Sequence, residues 1–187
     1  ILNTPEIPSN YIYANLLWHY GQGLAYARKH DFTNALKQLD SLKIDMQNDQ
    51  LRAPAPNYAN PGINGATVAQ KILQGIIAEE QNDLTTSIVY LKQAVADEDS
   101  MIYNEPKDWV HPSRQYLGSI LLKAKKYAEA EKVYKEDLVI NPHNGWSLTG
   151  LAIALQKQNK KSEAAKIKAE ALTAFSRADI KITDSVF

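Results

Sequence analysis

The chain has 187 residues, no cysteine, and 21 basic residues balanced by 21 acidic ones. Without cysteine there is neither a disulfide framework nor a thiolate metal site, and without net charge there is no global field to gather nucleic acid or an anionic membrane surface. No apolar run approaches the roughly 20 residues of a spanning helix, and the N-terminus has no basic or apolar signal region. A start at Ile1 rather than methionine points to a processed or excised chain and leaves the compartment open.

Taken in order, the predicted elements are helices in pairs. The first pair, over 12–45, carries Gly23, Tyr26, Ala35, Leu39 and Leu42, at intervals of three, nine, four and three. The second, over 66–98, repeats those intervals at Gly75, Ala78, Ser87, Leu91 and Ala94. The third, over 112–142, has Leu117, Gly118, Leu121, Ala130, Tyr134 and Pro142; adding 34 gives Leu151, Ala152, Leu155 and Ala164 in a fourth pair over 145–178. Two antiparallel helices cross closely only where small side chains meet, so Gly118 is expected to oppose Ala130. The turn of the third pair is expected at Lys125 and Lys126, and Pro142 ends its second helix. Ser162 is the expected N-cap of the last helix, running to about 178, and the tail after Asp179 is expected to fold back as a cap.

These small residues and the 34-residue spacing resemble tetratricopeptide repeats, whose motif sets a small residue, an alanine and a proline at such offsets. The resemblance implies an all-α fold: a right-handed α-α superhelix of about four helix pairs, forming a single domain over 1–187. The stretch from Ala130 through Asp137 to Asn141, Pro142, Asn144, Gly145 and Trp146 is also similar to the C-terminal portion of longer bacterial tetratricopeptide proteins of no assigned activity, which implies that upstream helices are absent here. Two positions depart from the pattern. Lys168 stands where a large aromatic belongs, as suits a terminal repeat with a polar outer face, and Asp137 stands where a small apolar residue belongs, where it is expected to accept hydrogen bonds from the loop entering the next pair.

The spacings of 52 residues from Gly23 to Gly75 and 43 from Gly75 to Gly118 exceed 34. Loop insertions at 47–65 and 99–111 account for the excess. The first holds Pro54, Pro56, Pro61, Gly62 and Gly65, a composition that blocks helix and strand. The second crowds Tyr103, Glu105, Trp109 and His111 together.

In such repeats the first helix of each pair lines a concave groove. Carried over by register, the groove residues are Tyr20, Leu24 and Arg28, then Ile72, Ile76 and Glu79, then Ser119 and Lys123, then Trp146, Ile153 and Lys157. Leu17, Glu80, Gln115, Leu122 and Thr149 fall on the same positions. A surface that is apolar at its centre and charged at one rim suits a protein or peptide partner. Gln115 and Ser119 occupy two places of the clamp that chaperone-binding members use for a terminal carboxylate, so no carboxylate clamp is expected. The competing reading is that loop or upstream helices cover the first two pairs.

A second candidate is a pocket between repeats formed by Tyr103, Glu105, Trp109, His111, Arg114, His143 and Asn144, with Trp146 beside them. Glu105, His111 and His143 could supply a carboxylate and two imidazoles for a metal or a helical enzyme. The plainer reading is packing, with Trp109 and Trp146 plugging gaps and their indole nitrogens meeting carbonyls. No metalloprotease pair, nucleophile elbow or phosphate loop is present; Gly21 and Gly23 lie on a predicted helix, and Glu79 and Glu80 point about 100° apart. The expectation is a scaffold for a protein or peptide, with no cofactor, no nucleic acid and no membrane insertion.

Overall fold

Eight helices with no strand make up the described residues of the computed structural model, which are 1–8, 10–53, 60–179 and 182–186. Contacts gather them into two compact units, Ile1–His111 and Pro112–Phe187. The first unit holds α1 (Ile12–Arg28), α2 (Phe32–Asp45), α3 (Gly62–Glu80) and α4 (Leu84–Asp99), with a short 3-10 turn at Asp49–Leu51. The second holds α5 (Ser113–Lys123), α6 (Tyr127–Ile140), α7 (Gly145–Lys157) and α8 (Lys161–Ala174). In both, consecutive helices pack as antiparallel pairs, and the first helices of neighbouring pairs also meet, α1 with α3 and α5 with α7. Each unit is thus an all-α stack of two helix pairs. No helix among the described residues is long and apolar enough to cross a membrane.

The four intra-pair turns have one construction. His30, Asn82, Lys125 and Asn159 have φ of 57°, 63°, 58° and 61°. In each turn the following N–H returns to a carbonyl five residues back: Asp31 to Tyr26, Asp83 to Ala78, Lys126 to Leu121 and Lys160 to Leu155, at 2.8–3.0 Å. A left-handed residue followed by this bond reverses the chain within three residues and satisfies a terminal carbonyl that the helix leaves over. Asp31 and Asp83 then cap α2 and α4 by accepting from Asn34 N–H and Thr86 N–H. Hydrogen bonds from the side chains of Asn34 and Thr86, and after them these N–H bonds, hold both carboxyls below the usual aspartate range.

Small residues sit where helices press together. A methyl on Gly75 would lie 2.8 Å from Leu91 Cγ, and one on Gly23 would lie 2.7 Å from Leu73 Cδ2. At Gly118, expected to oppose Ala130, the nearest would-be neighbours are all ring atoms of Tyr134, and so are those of Gly150. A helical side chain leans over the turn N-terminal to its own Cα, which carries the Tyr134 ring back toward the Ala130 level and into the slot between α5 and α7. Tyr134 is fully buried, and its hydroxyl shares a 2.5 Å hydrogen bond with the buried Ser185. The described tail residues therefore do return onto the second unit; Ile180, Lys181 and Phe187 lie outside the described residues.

Two further expectations are settled at helix ends. The C-cap Asn141 closes α6 just before Pro142. Ser162 is not the N-cap of α8, because that helix begins at Lys161 and Lys160 precedes it with no side-chain cap. What fixes this end is charge: Glu131 on α6 accepts from Lys135 Nζ at 2.5 Å, Lys160 Nζ at 2.7 Å and Gln158 Nε2 at 2.8 Å. Those bonds, that of Lys135 foremost, pull its carboxyl down to about 2.

Candidate partner-binding faces

In the first unit the groove positions lie on α1 and α3. Ile72 and Ile76 are fully buried, and Tyr20 and Glu79 are nearly so, while Leu24 is half-buried. Burying Ile72 and Ile76 stabilises the fold by about 1.5–3 kcal/mol each, which places them in the core between the pairs. Arg28 bridges the two helices: its guanidinium hydrogen-bonds Glu80 and lies 3.3 Å from Glu79 Oε2. The net effect of these two carboxylates is to raise the guanidinium further, against the cost of its burial. His30 Nδ1 stands 3.5 Å from Glu80 Oε2 at the same edge.

In the second unit Lys123 and Lys157 are exposed, Ile153 is half-buried and Ser119 is buried. Trp146 stands edge-on to Phe175, with ring centroids 5.4 Å apart and planes at 78°. Phe175 also fills the space over Gly145, where a methyl would lie 2.6 Å from its ring. Lys123 on α5 and Lys157 on the neighbouring α7 are thus exposed, with the half-buried Ile153 one turn before Lys157.

The residues of the second candidate have local structural tasks. In the first unit Tyr103 donates to the Glu105 carboxylate, and both are exposed. Trp109 is buried, its indole N–H donating to His111 carbonyl at 2.6 Å, and its ring stands edge-on to Tyr20 at 5.7 Å. His111 stands 6.3 Å from the same indole, and burial pushes its imidazole below the usual value. In the second unit Arg114 Nε lies 3.9 Å from Glu136 Oε2. His143 is exposed with φ 61° and serves the turn before α7. Asn144 caps α7 by accepting from Trp146 N–H at 3.0 Å and Ser147 N–H at 3.3 Å. Asp137 accepts from Asn141 Nδ2 at 2.9 Å and from the Ser147 hydroxyl. Among the described residues no group of three His, Cys, Asp or Glu is arranged to hold a metal ion.

One residue that sequence reasoning passed over organises the 99–111 insertion. Asn60 is buried; its Nδ2 donates to Ile102 carbonyl at 2.7 Å and to Asp108 Oδ2 at 2.6 Å, and its Oδ1 accepts from Ile102 N–H at 2.9 Å. This latch and the Trp109 plug hold the insertion against its own unit. Of the first insertion, 54–59, with Pro54 and Pro56, lies outside the described residues.

No protein-family model matches the sequence, and no curated protein matches it. Among solved structures the chain is similar to the crystal structure of MamA protein, at 14% identity and a TM-score of 0.48, covering 89% of this chain and 97% of that one.

Proposed function

We propose that the chain is a scaffold of tetratricopeptide-like repeats that holds a protein or peptide partner across the first helices of its pairs. One observation carries this reading. In each unit two successive first helices lie side by side, α1 with α3 and α5 with α7, so side chains 34 residues apart in the second unit share a face. There Lys123 and Lys157 are exposed and Ile153 is half-buried, a combination suited to a segment with an apolar anchor and acidic neighbours. In the first unit Leu24 and Arg28 are the corresponding surface groups, while Ile72 and Ile76 serve as the support beneath them.

The test is co-purification from the native source with wild-type bait, with bait carrying Lys123→Glu and Lys157→Glu, and with bait carrying Lys166→Glu as a charge-matched control. The reading predicts a stoichiometric partner retained by wild type and control and lost by the double variant. A partner held equally by all three baits would show that the α5–α7 face is not the contact.

A further inference from the structure

In the second unit the outer face of α5 and α6 is covered by α7, whose Gly150 lies against Tyr134. Moving 34 residues on, the matching face belongs to α7 and α8, and Lys168 takes the place of Tyr134. Among the described residues no helix covers this second face. Of the described tail residues Ile182 and Thr183 reach it, and a cavity of about 610 Å3 lies between them and the two helices. Its apolar wall includes Ala152 and Ile153 from α7, Ala171 and Leu172 from α8, and Phe175 just after it. Leu172 is 67% exposed, so this wall is wetted.

The described lining holds two charged groups, Lys161 and Lys168, and both are cations. They are seven residues apart on α8, two turns along one face. No carboxylate among the described lining residues opposes them. An aliphatic wall closed on a third side by the tail, with two ammonium groups at its rim, lies within the volume range of small-molecule sites, about 300–1,000 Å3. A helix about 10 Å across would have to expel Ile182 and Thr183 to settle there.

We propose that this cavity binds a small amphiphilic acid, with its aliphatic body against α7, α8 and Ile182 and its carboxylate between Lys161 and Lys168. The site shares Ile153 with the α5–α7 face proposed above, but its cations, Lys161 and Lys168, are different ones and its test does not depend on that contact. Trp146 reports on it, because its ring stands edge-on to the wall residue Phe175.

The experiment titrates the full chain with dodecanoate, with dodecyltrimethylammonium and with acetate, all below micellar concentrations. Calorimetry gives stoichiometry and the Trp146 indole N–H resonance gives location. Expected are one saturable dodecanoate site per chain, a shifted Trp146 signal, and binding roughly tenfold weaker, about 1.4 kcal/mol, in the Lys161→Glu, Lys168→Glu double variant. Lys166→Glu, on the same helix but outside the lining, should bind as wild type does. Circular dichroism verifies that these exposed substitutions leave the fold intact. Equal binding of the cationic amphiphile, undiminished binding by the double variant, or a Trp146 signal that does not move would overturn the proposal. Absence of dodecanoate binding to the folded chain would also overturn it and leave the face to a partner helix.

Discussion

The side chain of Asn60 makes both backbone hydrogen bonds of Ile102, 42 residues further on, accepting from its N–H and donating to its carbonyl. An amide side chain here does the work of a strand neighbour and satisfies the backbone of an irregular segment. Asn60→Ala would strand the Ile102 N–H and carbonyl together with one oxygen of Asp108. The expected loss is about 2–3 kcal/mol, with amide exchange at Ile102 accelerating more than exchange in α6. Unchanged exchange at Ile102 would mean that the insertion is held by Trp109 alone.

Glu131 ties α6 to the turn between α7 and α8 through Lys135, Lys160 and Gln158. Its carboxyl is lowered from 4.5 to about 2 in the folded chain. A depressed folded value means that the contribution is complete above pH 4.5 and is lost as pH falls toward 2. Glu131→Gln should lower stability at pH 7 by about 1 kcal/mol, allowing for the exposure of both lysines. Urea midpoints of variant and wild type should converge between pH 4.5 and pH 2. A gap that stays constant over that window would assign the effect to packing instead of charge.

Lys125 is the one residue of the four repeated turns that is neither asparagine nor histidine, and it holds φ at 58°. Left-handed backbone costs an ordinary residue about 1–2 kcal/mol, and its exposed side chain gives little in return. Lys125→Gly should raise stability by about 0.5–1 kcal/mol, the rest being offset by the greater freedom of glycine in the unfolded chain. The thermal midpoint is the readout; a decrease would show that the lysine side chain contributes a contact to the turn.

Helix pairing was legible in the sequence because a close crossing leaves so few choices of side chain. Gly75 and Leu91 sit sixteen residues apart, as do Gly118 and Tyr134, and both pairs touch. The same logic did not single out the ring nearest Gly118, since it counted Cα levels and ignored the backward lean that brings Tyr134 to it. The cap of α8 was misread because Ser162 has the right chemistry, while the helix starts at Lys161 beside a lysine anchored on Glu131. Asp137 was readable as a hydrogen-bond acceptor because a carboxylate in an apolar register must find donors. Asn60 and Ser185 were not readable: each is a lone polar group whose partner lies tens of residues away, and no periodicity marks it. The proposed surface residues divide for the same reason, as register alone does not distinguish Ile76, buried under a neighbouring pair, from Ile153, which is half-exposed.

The most direct test of the whole account is the stability of Gly150→Ala, measured by urea unfolding in the wild-type background and with Tyr134→Val. In an ordinary helix interior this change gains about 0.8–1 kcal/mol. If helices here are fitted around one ring, the new methyl meets Tyr134, and the account predicts a loss of about 1–3 kcal/mol that turns into a gain once the ring is removed. A gain in both backgrounds would contradict it.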